Sequence, residues 1–449
     1  MRAWMAAGLW AVGGLAGLTA LAPAAEAAPV LMISIDGLRP ADVIEAQQRG
    51  LKIPTLRALA AHGAYATDVV NVIPTVTYPN HTTLITGVRP AVHGISNNVA
   101  FDPLFKNADG WEWYSADIKV PTLWDAVHAK GGVVASLGWP VSVGAASIDD
   151  NVPEYWRART GDDIKLLRAL STPGLIPALE RASATSIDLI GSDTSPPADE
   201  AKARFSVAMY QLKTPQFFTI HLSSLDHVQH QFAPGSPEAH AALERIDADV
   251  GLIVAAARKA EPDVVVAIVS DHGFAPVAHE INLYKAFIDA GLITLGPSTH
   301  KVTGWEAEPW GGASAAVVLA RPDDAALKAR VKALLDTLAA DPSYAIDRVI
   351  DAAEMQRRGV APGPSFYIDF KLGYEMGGKF DTPTDSATLA RGTHGWFNDH
   401  PEMHSTFIID GPGVPVKGSL GQIDMRDIAT TLAGVLKVDL PTAQGKKLF

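Results

Sequence analysis

PVLMISIDG, residues 29–37, is a continuous apolar and partly β-branched run that stops on a carboxylate and a glycine. Such a run, with no polar alternation, suits a strand buried on both faces of a parallel sheet, and it puts Asp36 at the strand's carboxyl end. Two more runs end in a similar way. VVVAIV (264–269) leads into Ser270-Asp271-His272-Gly273, and QFFTIHL (216–222) is followed within a few residues by Asp226. Helical patterns lie between them at 54–62, 121–130 and 239–257. Strands alternating with helices predict an open α/β sheet whose ligands bind at the carboxyl ends of the strands. Three strand ends that each deliver an aspartate predict one acidic pocket.

Carboxylates gathered in a half-buried crevice repel one another unless cations compensate them. The histidines indicate which cation. Asp226 and His230 stand four residues apart, Asp271-His272 forms a pair at a strand end, and Thr393-His394-Gly395 lies in a glycine-flanked loop from which a ring can reach inward. The chain has no cysteine, so disulfides and thiolate sites are excluded. Aspartate and histidine without thiolate point to zinc ahead of manganese or iron.

A nucleophile is offered by VNVIPTVTYPNHTTLITGVRPAVHGISNN, residues 70–98. Thr77 sits on a proline-containing turn ahead of a helix-like segment that Gly87 ends, with Pro79 in the first turn. A hydroxyl there lies beside unpaired backbone N–H groups that welcome an anion such as phosphate. Taken singly, each feature has an ordinary reading: a threonine cap, an Asp-Gly turn, a solvated DxxxH helix face. Their conjunction in this order points to a metal-activated hydroxyl.

With 449 residues, 47% of them hydrophobic, the chain can bury a large core in two or three lobes. A net charge of −12 argues against coating a nucleic-acid polymer. Met1-Arg2, an uncharged apolar run over 3–22, and Ala25-Glu26-Ala27 read as a secretory signal peptide cleaved after Ala27. The alternative is a retained anchor, since about 20 apolar residues span a bilayer. Cleavage would leave 449 − 27 = 422 residues in the periplasm or medium, with no stable membrane insertion.

Asp36, TYPNH (77–81), GVRPAVHGI (87–95), Asn98, Asp226 with His230, SDHG (270–273) and GTHG (392–395) resemble the nucleotide pyrophosphatase/phosphodiesterase family, in a secreted bacterial form. That family belongs to the alkaline phosphatase superfamily of two-metal hydrolases, and the likeness extends over nearly all of the chain after residue 27. It implies an alkaline-phosphatase-like α/β fold, an open and mostly parallel sheet with helices on both faces. It also implies two zinc ions per chain. One would be held by Asp36, Thr77, Asp271 and His272, the other by Asp226, His230 and His394. His400 and His404 stand close to His394, but the G-T-H-G setting favours His394. Thr77 would carry the phosphoryl group transiently, and Asn98 with the Thr77 N–H would donate to a non-bridging phosphate oxygen.

Charge counting favours a small phosphodiester substrate. Two zinc ions offset Asp36, Asp226, Asp271 and a Thr77 alkoxide, and the motifs place no lysine or arginine to hold a monoester dianion. Arg39 and Arg89 read as braces for their loops. Tyr78, Trp139 and the group Trp111, Trp113 and Tyr114 are candidates to line a base pocket. Nucleotide-handling relatives carry tyrosine five residues before the DxxxH aspartate, where this chain has His221. Choline-phosphate and glycerophosphodiester substrates therefore stay open beside nucleotides. Residues 276–389 read as a small inserted α+β lobe over the crevice, with Trp305 and Trp310 able to meet the leaving group, and 28–275 with 390–449 as the catalytic domain. A phosphomonoesterase or phosphonate hydrolase of the same superfamily is the alternative. A non-catalytic metal-binding protein would be expected only if a ligand were missing, and a sulfatase lacks its Cys/Ser-x-Pro-x-Arg motif here.

Overall fold

A computed structural model describes residues 27–449 apart from 108–109, 158–159, 192–193 and 382–383. The leader expected over 1–27 lies, but for its last residue, outside the described residues. No helix among the described residues is long and apolar enough to cross a membrane.

Among these residues the central sheet has eight strands, in the spatial order Gly418–Ser419, Ala64–Tyr65, Phe407–Asp410, Val265–Val269, Val30–Ile35, Phe217–Leu222, Val134–Leu137 and Asp150–Val152. Only Phe407–Asp410 runs against the others. Val30–Ile35 pairs on both sides, with Phe217–Leu222 and with Val265–Val269, and this explains its unbroken apolar run. Leu31, Ile33 and Ile35 face one core, beneath helices Pro54–His62, Pro196–Leu212 and Pro237–Ala260. Val30 and Met32 face the other, beneath Thr77–Thr86, Leu123–Ala129 and Arg426–Leu436. Helices thus cover both faces, as expected of a doubly wound sheet.

After Val265–Val269 the chain passes through Asp271 and His272 into a second body of structure with its own core, which includes Phe287, Val317, Val331, Leu335, Ile368 and Phe370. Four antiparallel strands, Ala307–Gly311, Ser314–Leu319, Phe366–Phe370 and Ile346–Asp351, form one layer. Helix Ala325–Ala340 buries Leu327, Val331, Leu335 and Leu338, residues three and four apart on one face. Its neck is a ladder between Ala275–Ile281 and Asp385–Thr393, which pairs Ala275 with Thr393. These two strands straddle both limits expected for the lobe, 276 and 389. The ladder also has a functional result: it brings the SDHG and GTHG segments side by side.

Candidate metal centre

The carboxyl ends of Val30–Ile35, Phe217–Leu222 and Val265–Val269 lead to Asp36, Asp226 and Asp271, which face one crevice. Asp36 follows its strand directly, and Gly37 turns the chain there with φ of 71°. A Cβ at Gly37 would lie 2.9 Å from the Phe274 ring, so glycine is required both for the turn and for the close approach. The Gly37 N–H donates to Asp271 Oδ1 at 3.2 Å, and the Asn71 amide donates to the Asp271 carbonyl. Asp226 and His230 share one face of helix Ser224–Phe232. Both oxygens of buried Asp199 accept from the N–H groups of Ser223 and Ser224 at that helix's start. Lys202 ties Asp199 to the Ser223 hydroxyl.

Three of the predicted ligands meet in one group. His272 Nε2 lies 3.4 Å from Asp36 Oδ1 and 3.1 Å from Asp271 Oδ2. Asp226 Oδ1 lies 3.5 Å from both His230 Nε2 and His394 Nε2. The His272 and His394 rings stack at 3.6 Å between centroids, which joins the two groups, and ligand atoms of Asp226, His272 and His394 fall within 4.8 Å of one another. The first group is deeply buried. The second is more open, with the Asp226 and His230 side chains 20% and 36% exposed.

The residues pass a test of fitness for metal. Asp36 Oδ1, Asp226 Oδ1, Asp271 Oδ2 and His272 Nε2 are all buried without a hydrogen-bond partner, a costly condition that a cation at that point would relieve. Each histidine spends its other ring nitrogen on a backbone carbonyl: His272 on Gly273, His230 on Gly392 and His394 on Thr75, at 2.9–3.1 Å. Since a carbonyl only accepts, those nitrogens carry the protons and Nε2 keeps its lone pair. The titration directions agree. Burial, then the charge of Asp226, pushes Asp36 well up, while burial and Asp36 push Asp271 well up. Burial, then His394, pushes His272 well down, and burial brings His394 down to about 4. Desolvated acids and unprotonated imidazoles around one space are what a divalent cation stabilises.

Thr77 is the first residue of helix Thr77–Thr86, rather than on the turn ahead of it, and Gly87 ends that helix in the left-handed conformation as expected. Its carbonyl accepts from His81 Nδ1 at 2.9 Å, and the same ring approaches Asp271 Oδ2 at 3.6 Å. On the far side of His81, Nε2 meets the Ser34 hydroxyl at 2.8 Å, which accounts for a polar residue in the first strand. Asn98 Oδ1 accepts from the Tyr78 N–H at 2.8 Å, leaving the Asn98 amide to donate beside Thr77. Val76, Asn97 and His394 line a cleft of about 190 Å³ together with Trp310, Gly311, Gly312 and Tyr367 of the lobe.

The aromatic expectations need correction. Tyr78 and Trp139 are fully buried and His221 is 2% exposed, so none has a face to offer a base. Tyr78 packs edge-on against Trp111 and Trp113 and donates to Glu154 at 2.6 Å. Trp139 packs on His81, and His221 bonds Asp36. Trp305 packs on Phe101. Arg39 and Arg89 are braces, the first paired with Asp42 and the second donating to the Arg357 carbonyl of the lobe. His400 and His404 bond Asp369 and Asp68 instead of joining the centre.

Sequence reading missed Glu154, Asp199 with Lys202, and the role of His81. Glu154 lies two residues past the carboxyl end of Asp150–Val152, where strand-end logic would have found it had that short polar strand been legible.

The model of the type I phosphodiesterase/nucleotide pyrophosphatase family matches residues 30–379, which leaves His394 beyond the match. Human ectonucleotide pyrophosphatase/phosphodiesterase family member 1 is 26% identical over 258 residues, covering 55% of this chain and 24% of its own. An uncharacterised pyrophosphatase/phosphodiesterase of Schizosaccharomyces pombe is 28% identical over 254 residues, 56% of this chain and 45% of its own. The chain thus matches less than half the length of either relative. Among solved structures, human ectonucleotide pyrophosphatase/phosphodiesterase 5 superposes with a TM-score of 0.62 at 18% identity, covering 92% of this chain and 95% of that one. An inactive threonine-to-alanine form of the murine protein in complex with AMP gives 0.61 at 19% identity, with 93% and 97% covered. These likenesses support the alkaline-phosphatase-like fold.

Proposed function

The chain belongs to the type I phosphodiesterase/nucleotide pyrophosphatase family, and from that premise we propose that it is a zinc-dependent phosphodiesterase or nucleotide pyrophosphatase with Thr77 as nucleophile. The observation that carries this reading is the set of four buried, unpartnered ligand atoms on Asp36, Asp226, Asp271 and His272. Asp36, Asp271, His272 and Thr77 would hold one ion, and Asp226, His230 and His394 the other. Two such ions would favour loss of the Thr77 proton and offset charge on the leaving oxygen.

The chain's own groups do the rest. Thr77 attacks phosphorus and one ester oxygen leaves with its organic half; water then cleaves the phosphothreonine ester, releasing a phosphomonoester and restoring the hydroxyl. The Asn98 amide and the N–H at the start of the helix donate to a non-bridging oxygen. The likeness to murine ectonucleotide pyrophosphatase/phosphodiesterase 5, described as inactive with threonine replaced by alanine, supports a threonine in this role. Lys202 is bound to Asp199 and Ser223, so the phosphate would rest on neutral donors, a setting suited to the single charge of a diester. With Tyr78 and His221 buried, the organic half of the substrate would lie in the cleft against Trp310.

Turnover of bis-p-nitrophenyl phosphate against p-nitrophenyl phosphate by the purified, zinc-loaded protein tests the reading. The diester is expected to be preferred, and a strong monoester preference would overturn it. A screen of nucleotides, dinucleotides, phosphocholine compounds and glycerophosphodiesters then identifies the leaving group, and Trp310→Ala is expected to raise KM for the best of them.

A further inference from the structure

Asp36 is held asymmetrically. Its Oδ1 is buried with no partner, whereas its Oδ2 lies 2.9 Å from His221 Nε2. The other ring nitrogen of His221 lies 3.0 Å from Glu154 Oε2 and 3.2 Å from the Gly138 carbonyl. Glu154 Oε1 in turn accepts from the Tyr78 hydroxyl at 2.6 Å. The bonds run laterally across the carboxyl ends of four neighbouring strands, Asp150–Val152, Val134–Leu137, Phe217–Leu222 and Val30–Ile35. They end on the residue after the proposed nucleophile. Burial opposes a charged Glu154, yet the hydrogen bond from His221 holds its carboxyl below the usual range.

We propose that His221 and Glu154 are positioning residues for Asp36: His221 clamps one carboxylate oxygen, Glu154 fixes the His221 ring, and the second Asp36 oxygen is thereby aimed at the zinc it ligates. This rests on the metal reading above. A ligand carboxylate with one oxygen secured cannot rotate away, so its free oxygen meets the ion without first losing rotamer freedom. His221 is too buried to touch substrate, and its ring nitrogens bond Asp36, Glu154 and the Gly138 carbonyl rather than Thr77 or the histidine ligands. It acts through Asp36.

The test is a zinc titration of the full chain, stripped of metal and competed against a chromophoric chelator, with melting by circular dichroism to establish folding. Wild type is expected to bind two ions. His221→Phe should weaken one of them about 10- to 100-fold and leave the other unchanged, the loss typical of removing an outer partner of a ligand. His221→Gln, whose amide can still reach Asp36, should recover part of that loss. Glu154→Gln should lose less than His221→Phe, because the Gly138 carbonyl remains. At saturating zinc, kcat for bis-p-nitrophenyl phosphate should recover in His221→Phe while KM stays at the wild-type value.

Two tight ions in a folded His221→Phe protein would overturn the proposal, as would unchanged zinc binding with a raised KM. If His221→Phe does not fold, His221→Gln and Glu154→Gln decide, and wild-type zinc binding in both overturns it. A wild-type protein that binds no zinc would remove the metal reading itself, an outcome distinct from variants that match a two-zinc wild type.

Discussion

The crevice group of Asp36, Asp271 and His272 has a counterpart where the lobe meets the segment after it: Asp347 and Asp369 of the lobe and His400 beyond it also bring ligand atoms within 4.8 Å of one another. The residue types are identical and Asp369, like Asp271, is fully buried. The partners differ. Asp369 accepts from the Phe397 N–H at 3.0 Å on one oxygen and bonds His400 at 2.9 Å on the other. Arg348 lies 3.2 Å from Asp347 and 3.0 Å from Asp399, and Arg358 also pairs with Asp399. The second cluster thus has its carboxylates spent on Arg348, His400 and the Phe397 N–H, while in the crevice the facing atoms lack partners. Two aspartates and a histidine make a metal site only where lone pairs are left unspent and no cation has arrived first.

Five substitutions would break or sharpen this contrast. Only the crevice should have a nucleophile, so Thr77→Ala is expected to cut turnover by about 10⁴-fold or more with zinc content retained, read by steady-state kinetics and elemental analysis. Full activity in that variant would remove Thr77 from the chemistry. Next in size, Asp271→Asn should lose one zinc per chain and most activity, whereas Asp369→Asn should keep both ions; zinc lost equally from the two variants would erase the distinction. Asp369→Ala should instead cost stability, about 1–3 kcal/mol, because the Phe397 N–H and His400 lose their partner. Denaturant unfolding of the zinc-loaded proteins measures this.

The smallest effect concerns pH. Asp369 raises His400 above its usual 6.5 against the opposition of burial and Arg348, with Asp347 adding to the rise. A histidine raised on folding contributes stability that is complete below its unfolded value and fades as pH climbs through the folded one. The difference in unfolding free energy between wild type and His400→Gln should therefore be about 0.5 kcal/mol below pH 6 and shrink above neutrality. A difference flat across that range would show that His400 serves by packing alone.

Much of the crevice was legible because burial on both faces leaves a strand nearly all apolar, with Ser34 the exception in Val30–Ile35. Val30–Ile35 and Val265–Val269 announce their own ends, and Asp36 and Asp271 stand on them. In the lobe, strands Ser314–Leu319 and Phe366–Phe370 are mostly apolar runs and helix Ala325–Ala340 buries residues three and four apart, so these elements are legible for a similar reason. Asp150–Val152 was not. It lies at the sheet edge, carries polar residues and is three residues long, so Glu154 had no marker. The aromatic residues failed differently: Tyr78 and Trp139 stand where a base pocket would be sought, but a ring near a nucleophile in sequence is as well suited to packing as to recognition.

From the chain alone come the sheet's buried strands, a helix close to Thr77 that Gly87 ends, and the types and order of the candidate ligands, because strand burial, helix ends and turns are properties of neighbouring residues. Which Asp36 oxygen is free, which ring nitrogen each histidine spends, and which of two like clusters is already satisfied are decided only in three dimensions. Apart from adjacent pairs such as His272 with the Gly273 carbonyl, hydrogen bonds between residues tens to hundreds of positions apart settle them, and the local sequence does not encode those partners.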